Sequence, residues 1–218
     1  DSTGNGYYGT PVGGVTRPVT GPFGRSVEFD GTTGYVEQFR SFSGANAIPE
    51  MTVSVWFNTS FPDGGADNDN WSFIDFDRSD YFNFYLSGDQ SELSFATTGG
   101  STQDFSGTTT GLNDGAWHLG WAVYDGTDKT LYLGSAPDGT QANAHGGAGL
   151  GSTNTRWGML GDGSESAAFG DGSGNNIYYD GLIDEIRFSL VARTSDWIAA
   201  QTLSMSDSMI SYGSEETR

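Results

Sequence analysis

The sequence predicts an all-β protein in which two antiparallel sheets pack face to face as a sandwich, with one short helix near the C-terminal end. Three observations support this fold class. Apolar and polar residues alternate with a period of two in several short runs, as in strands with one buried face. The 34 glycines are spread between these runs and indicate many tight turns. Aromatic residues make up 14% of the chain, so large rings can fill a core although only 35% of the residues are hydrophobic.

The first half of the chain contains four runs that each predict a strand with one apolar face. In each run the apolar residues are two positions apart, which places them on the same side of an extended chain. These faces are formed by Val27 and Phe29, by Met51, Val53, Val55 and Phe57, by Phe82, Phe84 and Leu86, and by Leu93 and Phe95.

The second half of the chain predicts a hairpin, a bulged strand and the helix. The hairpin joins residues 117–124, with Trp117, Leu119, Trp121 and Val123 on one face, to residues 130–134 through the turn residues Asp125 and Gly126. The run over residues 181–188 loses its alternation at Asp184, which predicts a β-bulge there. Thr194 or Ser195 can cap a helix over residues 196–201, with Asp196 in its first turn.

Composition limits the classes of partner and the cellular location. The formal net charge of −19 disfavours nucleic acids and anionic lipid surfaces as partners. No stretch approaches the roughly 20 apolar residues that a membrane-spanning helix needs, so we expect no membrane insertion. The chain contains no cysteine, which excludes disulfides and thiolate metal sites. Nothing at the start is typical of a signal peptide, so any secretion signal lies outside this chain.

The order of several motifs resembles the laminin G-like domains of the concanavalin A-like lectin/glucanase superfamily. The motifs are the opening DSTGNGYYG, residues 23–36 with their Phe-Asp-Gly, residues 51–57, residues 114–118 with the hairpin, and residues 179–188 before the Trp197 helix. The ending over residues 210–216 further resembles the bacterial type found in large exported proteins. The resemblance covers nearly the whole chain and implies a two-sheet jelly roll forming one domain over residues 1–218, which we expect to belong to a larger multidomain protein.

The resemblance also implies a calcium ion, which many members of the family hold. Carried over by position, its ligands are Asp1 in the opening loop, Asp30 of the Phe-Asp-Gly motif, and Asp184 at the predicted bulge. Asn5 adds an amide oxygen from the opening loop, and calcium prefers such mixtures of carboxylate and amide oxygens. We therefore expect one structural calcium that ties the start of the chain to its last strand. The alternative is that Asp30 only forms a turn and that Asp184 only pairs with Arg187.

Two Asp/Asn-rich loops offer second candidates for metal binding and for carbohydrate binding. One loop contains Asp63, Asp67, Asp69 and Asn70, and the other contains Asp162, Asp171, Asn175 and Asn176. Neither has the Asp-x-Asp-x-Asp-Gly spacing with a distal Glu that is typical of one class of calcium loop. Aromatic rings beside these loops suit the apolar faces of sugars. The candidate ligand-binding residues are Trp71, Asp77, Trp157, Tyr178 and Tyr179, although aromatic residues are also ordinary core material.

The sequence thus predicts a noncatalytic, calcium-stabilised binding module in a secreted or cell-surface adhesin-like protein, with a periplasmic location as an option. The expected partner is a glycan or cell-surface polysaccharide, and the isolated domain is expected to be a monomer. The alternative is a protein-binding or structural spacer module. A glycoside hydrolase is the least favoured class, because the acidic pairs Asp75/Asp77 and Asp184/Glu185 lack the Glu-x-Asp-x-Glu spacing of hydrolases with this fold.

Overall fold

The computed structural model of the chain describes residues 4–62 and 71–209, and these contain fourteen strands and one α-helix. The strands are β1 Gly9–Val12, β2 Val15–Gly21, β3 Gly24–Asp30, β4 Tyr35–Ser43, β5 Met51–Asn58, β6 Trp71–Asp75, β7 Phe82–Leu86, β8 Leu93–Thr98, β9 Thr102–Gln103, β10 His118–Tyr124, β11 Lys129–Leu133, β12 Ala136–Gln141, β13 Thr155–Leu160 and β14 Asp180–Ser189. The helix α1 spans Ser195–Met205, and a 3₁₀ turn covers Ala144–Gly147.

The strands form two antiparallel sheets of seven strands each, which confirms the predicted sandwich. Sheet A has the order β1-β4-β13-β6-β7-β8-β9, and sheet B has the order β12-β11-β10-β5-β14-β3-β2. Half of the neighbouring strand pairs, such as β4 with β13 and β5 with β14, are far apart in sequence, so their pairing closes long loops. Among the residues described, no helix is long and apolar enough to cross a membrane.

The main core lies between the two sheets and is rich in aromatic rings. The predicted apolar faces of β5, β7 and β8 all point into it. Phe73 on β6 is 0% exposed, and its ring lies 4.7 Å from that of Phe57 on β5, 5.5 Å from that of Phe84 and 5.6 Å from that of Tyr179. Aromatic pairs at such distances add to the stabilisation from buried area, so these rings hold sheet A against sheet B.

A second, smaller core lies on the outer face of sheet B, beneath helix α1. Leu119, Trp121 and Val123 of β10 belong to this cluster together with Ile198 and Met205 of the helix. The apolar face that the sequence predicted for β10 therefore exists, but it packs under the helix. The opposite face of the strand, with Ala122 and Tyr124, joins the main core.

The helix and the bulge occur where the sequence predicts them. The Thr194 side chain accepts a hydrogen bond from the Trp197 backbone N–H at 3.3 Å and caps α1, which continues to Met205 rather than ending at Gln201. The pairing of β14 with β5 shifts register between Asp184 and Arg187, which is the predicted bulge. The bulge lets Ile183 and Ile186 both reach the core side of the sheet.

Lys129, the sole lysine of the sequence, is buried between the sheets. Its Nζ donates hydrogen bonds to the carbonyl oxygens of Phe95 at 3.2 Å and Gln103 at 2.8 Å, and lies 5.8 Å from the ring centroid of Phe105. Loss of hydration lowers the pKa of this amine to about 8, and the carboxylate of Asp104 offsets part of that effect.

Candidate functional site

The candidate functional site is a polar cavity of about 230 Å³ on the face of sheet A that points away from the core. Its lining comes from β6, β7, the turn between them, and the loop of residues 161–179 between β13 and β14. We call it the sheet A cavity, and its residues are Ser72, Arg78, Asn83, Gly163, Glu165, Asn175 and Ile177.

The floor of the sheet A cavity is formed by polar residues of β6 and β7. In β7, Phe82, Phe84 and Leu86 point into the core, so strand alternation places Asn83 on the opposite face. Asn83 is 3% exposed, and its Nδ2 donates a hydrogen bond to Ser72 Oγ at 2.9 Å. Its Oδ1 is buried and has no hydrogen-bond partner among the described residues. A buried amide oxygen in this situation favours a ligand that donates a hydrogen bond.

Asp75 lies beside this floor, directly opposite Asn83 in the pairing of β6 with β7. Its side chain is 1% exposed, and one carboxyl oxygen finds no partner in the part of the chain that is described. Burial raises the pKa of the Asp75 carboxyl well above its ordinary value, and the nearby charge of Asp77 raises it further. The carboxyl thus retains its proton to higher pH and can donate an O–H as well as accept a bond.

The walls of the sheet A cavity carry charged and amide groups. Arg78 stands on the β6–β7 turn, and its Nη1 forms an ion pair with Asp104 at 2.8 Å. About half of each of these two side chains is exposed, so the guanidinium remains accessible to solvent. Glu165 and Asn175 approach from the loop of residues 161–179.

Two aspartates hold the loop of residues 161–179 in place over sheet A. Asp162 Oδ1 accepts backbone N–H bonds from Gly163 at 2.8 Å and Ile177 at 3.1 Å, which closes the loop at its base. Asp171 accepts bonds from the backbone N–H groups of Ala167, Ala168 and Ser173 and from the hydroxyl of Ser166. These bonds lower the pKa of Asp171 to about 2 although partial loss of hydration opposes them. Both carboxylates therefore act as caps of backbone donors in this loop.

The aromatic residues predicted to bind a ligand fall into two groups. Trp157 and Tyr178 are partly exposed and border the loop of residues 161–179. Trp157 lies 5.8 Å from the ring of Phe169, and Tyr178 stacks on Tyr35 at 6.4 Å. Phe169 and Tyr178 belong to this loop, which forms one wall of the cavity.

The other predicted ligand-binding residues lie elsewhere. Trp71 and Tyr179 are 4% and 0% exposed and belong to the main core, so their rings offer no face to a ligand from solvent. Asp77 is 6% exposed and forms an ion pair with Arg156 Nε at 2.7 Å. Trp71 and Tyr179 are buried in the main core because large rings are needed to fill the space between the two sheets.

The described residues do not assemble the shared calcium site that the sequence predicts. Asp30 lies opposite Asp180 in the pairing of β3 with β14, and Asp184 is four residues further along β14. Four strand residues span about 13 Å, too far for both carboxylates to bind one ion. Asp1, Asp63, Asp67, Asp69 and Asn70 lie outside the described residues, and Asn5 is exposed. Within residues 4–62 and 71–209, no three acidic or histidine side chains come together as a metal site.

The carboxylates of Asp30 and Asp184 instead bind backbone donors. Asp30 Oδ1 accepts bonds from the N–H groups of Thr32, Thr33 and Gly34, and its Oδ2 accepts one from the Thr33 hydroxyl. Asp184 accepts bonds from the N–H groups of Phe23 and Glu185. Arg187, the expected partner of Asp184, pairs with Glu185 at 2.8 Å. The donor sets around these two aspartates do not fit a shared metal ion.

Sequence reasoning missed most of the sheet A cavity, and Asn175 is the only lining residue that it singled out. A usable signal was present in β7, where Asn83 and Tyr85 are the residues that alternate with the apolar face. An amide flanked by aromatic residues on an outward face is unusual for a solvated strand surface. The positions of Ser72, Arg78 and Glu165 depend on which strands pair, and local patterns do not reveal that.

Comparison with known proteins agrees with this fold. The family model Laminin_G_3, described as the concanavalin A-like lectin/glucanases superfamily, matches residues 30–199. No curated protein matches the sequence. Among solved structures, the chain is similar to the binding domain of Paraclostridial Mosquitocidal Protein 1, with a TM-score of 0.69 and 13% identity over 94% of this chain and 49% of that one. This chain therefore spans about half the length of that binding domain.

Two further solved structures share the fold. Domain 4 of AbnA, an extracellular arabinanase from Geobacillus stearothermophilus solved in complex with arabinotriose, matches with a TM-score of 0.65 and 18% identity, covering 93% of this chain and 91% of that one. The binding domain of Botulinum Neurotoxin DC in complex with rat synaptotagmin II matches with a TM-score of 0.63 and 11% identity, over 94% of this chain and 48% of that one. At these identities the likeness concerns the fold alone.

Proposed function

This chain belongs to the Laminin_G_3 family of the concanavalin A-like lectin/glucanases superfamily, and from this premise we propose that it is a noncatalytic carbohydrate-binding module. The observation that carries the proposal is the sheet A cavity with the buried, unpartnered Oδ1 of Asn83 at its floor. An arabinanase domain of the same fold, solved with arabinotriose, supports a sugar as the ligand class. We further propose a secreted or surface-displayed location for the module, in an adhesin-like protein.

The groups around the sheet A cavity match the hydrogen-bonding needs of sugar hydroxyls. A hydroxyl both donates and accepts, and planar side chains can offer one donor and one acceptor to neighbouring hydroxyls. Asn83 Oδ1 accepts from the floor, Arg78 donates from one wall, and Glu165 and Asn175 add acceptor and donor atoms from the other. Ile177 supplies an apolar surface for C–H groups. A pocket with a few convergent polar groups is the usual form of a small-ligand site.

Substitutions in the walls test the site with little risk to the fold. Arg78→Gln and Asn175→Ala change exposed side chains, and each is expected to weaken oligosaccharide binding roughly tenfold or more, because each removes a hydrogen bond to the sugar. A glycan array identifies the ligand, and calorimetric titration, beginning with arabinotriose, measures the affinity. Arg25→Gln is the matched control. Arg25 is exposed on sheet B, and its replacement by glutamine changes the net charge by the same amount as Arg78→Gln.

Three outcomes contradict parts of this proposal. Absence of binding to every glycan on the array removes carbohydrate recognition from the module, and equal weakening by Arg25→Gln removes it from the sheet A cavity. Release of new reducing ends during incubation with a bound oligosaccharide contradicts a noncatalytic role. If such release occurs, Asp75→Asn tests whether Asp75 is the catalytic acid, because a buried carboxyl with a raised pKa can donate a proton.

Calcium support of the module is a separate proposal with its own test. The ion would draw ligands from Asp1, which lies outside the described residues, and from carbonyl oxygens of the Gly-rich opening loop. We expect about one calcium per chain by elemental analysis and a lower melting temperature after chelation, because a ligand of the native state stabilises it by mass action. An unchanged melting temperature in EDTA, together with metal-free protein, contradicts the proposal.

A protein-binding module is the second candidate function. A neurotoxin binding domain of the same fold was solved with a protein, rat synaptotagmin II. Exposed apolar side chains favour such a contact, among them Tyr8 at 63% and Met209 at 55% exposure. Glycan binding that depends on Arg78 distinguishes the first candidate from this one.

A further inference from the structure

A second cavity, of about 210 Å³, lies beneath helix α1 on the outer face of sheet B. We call it the helix cavity. Its residues come from β5, β10, β14, the connection between β14 and α1, and the first turns of α1. They include Ser54, Trp121, Arg187, Arg193, Trp197 and Gln201. It is on the opposite sheet from the sheet A cavity and shares no residue with it. An inference about its ligand is therefore independent of the proposed function.

Three polar atoms on residues of the helix cavity are buried without a hydrogen-bond partner in the described part of the chain. They are Ser54 Oγ, Trp121 Nε1 and Arg193 Nε. Ser54 and Trp121 are each 1% exposed. An indole N–H and a guanidinium N–H can only donate, and a hydroxyl can also donate. Three buried donors around one space favour a ligand that is rich in acceptors.

The local charge of the helix cavity is opposite to that of the whole protein. Two of the eight arginines of the sequence line it, although the net charge of the chain is −19. Arg187 pairs with Glu185 at 2.8 Å, which leaves further N–H groups of its guanidinium for another acceptor. Arg193 stacks over the ring of Trp197 at 4.5 Å, and its backbone N–H donates to Thr52 Oγ1 at 2.9 Å. The Arg193 side chain is thus held against Trp197, and its backbone is anchored to β5.

Apolar surface completes the helix cavity. The rings of Trp121 and Trp197 meet edge to face at 5.9 Å and form its aromatic walls. Phe188 borders the space, but its ring stacks on Phe82 in the main core. A cavity with a cationic, donor-rich part and aromatic walls fits a molecule that has a carboxylate on a compact body with apolar faces. An inorganic anion would satisfy the donors and leave the aromatic walls uncovered.

We propose that the helix cavity is a binding site for a small organic carboxylate. The carboxylate accepts hydrogen bonds from Ser54, Trp121 and Arg193, and the rest of the molecule packs on the aromatic walls. The volume limits the body to one ring, which is either the ring of a sugar acid or that of an aromatic acid.

Matched pairs of acid and neutral molecule test this proposal. The protein is titrated at pH 7 and constant ionic strength with sodium glucuronate against glucose, and with sodium benzoate against benzyl alcohol. We expect heat of binding and a higher melting temperature with at least one acid, and neither effect with its neutral counterpart. The pair that responds identifies the body of the ligand. Binding of the neutral molecule as tightly as its acid overturns the proposal, as does absence of any response up to about 20 mM.

Variants assign the binding to the helix cavity. Ser54→Ala removes one buried hydroxyl and Arg193→Gln removes the charge, and each is expected to weaken binding of the acid by about tenfold. Arg25→Gln is the control, because it removes the same charge from an exposed position outside both cavities. Ser54→Ala keeps the test decisive even if Arg193→Gln fails to fold, since it deletes a single atom from a strand. Unchanged affinity in Ser54→Ala, or equal loss in Arg25→Gln, contradicts the assignment.

Discussion

Replacing Phe73 by alanine is expected to lower the free energy of unfolding by about 3 to 5 kcal/mol. Phe73 is 0% exposed, and its ring meets those of Phe57, Phe84 and Tyr179 at 4.7, 5.5 and 5.6 Å. Phe57 lies on sheet B and Phe84 on sheet A, so the missing ring would leave a cavity between the sheets. Denaturant unfolding followed by tryptophan fluorescence measures the change.

Tyr8→Ala is the control for this substitution. Tyr8 is also aromatic but is 63% exposed, so its loss is expected to change stability by less than about 0.5 kcal/mol. If Phe73→Ala costs no more than Tyr8→Ala, the two sheets do not meet at Phe73, and the described packing of the core is incorrect.

The stability of the protein is expected to rise by about 1.5 kcal/mol between pH 8 and pH 9.5 because of Lys129. The pKa of Lys129 is about 8 in the folded protein, against about 10.4 in an unfolded chain. In this range the unfolded state keeps a proton that the folded state has released, so higher pH favours folding. Burial raises the pKa of Tyr85 and Tyr179, which reverses the trend above pH 10.

Urea unfolding at half-unit steps from pH 7.5 to 9.5 measures this dependence. Lys129→Met removes the titrating amine and keeps a long apolar stem, so we expect the variant to lose the rise in this range. A rise of the same size in Lys129→Met would assign it to other groups. A fall in stability over the same range in the unmodified protein would contradict the burial of a charged amine.

The sequence predicts the strands that have one apolar and one polar face, but it does not predict strands β1, β2 and β12 at the sheet edges. The face with Met51, Val53, Val55 and Phe57 was identified because one side of β5 is apolar throughout. Strands β1, β2 and β12 contain Pro11, Pro18 and Pro137, which are residues that indicate turns. All three lie at a sheet edge, where a missing N–H does not break the ladder between strands.

The candidate site was less predictable than the fold, because it depends on strands brought together from distant parts of the sequence. The Asp and Asn residues of the loop of residues 161–179 predict a binding site there, and this loop does form one wall of the sheet A cavity. The sequence pattern predicts metal ligands among these aspartates. In the structure Asp162 and Asp171 accept backbone N–H groups of their own loop, a short-range function for which aspartate is suited by its length.

The burial of Lys129 has a consequence for the covalent chemistry of the protein. Because the sequence contains no other lysine, the folded domain presents no ε-amine to reagents that acylate, cross-link or immobilise proteins through that group. A reagent can reach this side chain only when the sandwich opens between β8 and β11. The extent of acylation at Lys129 therefore measures how often the two sheets separate.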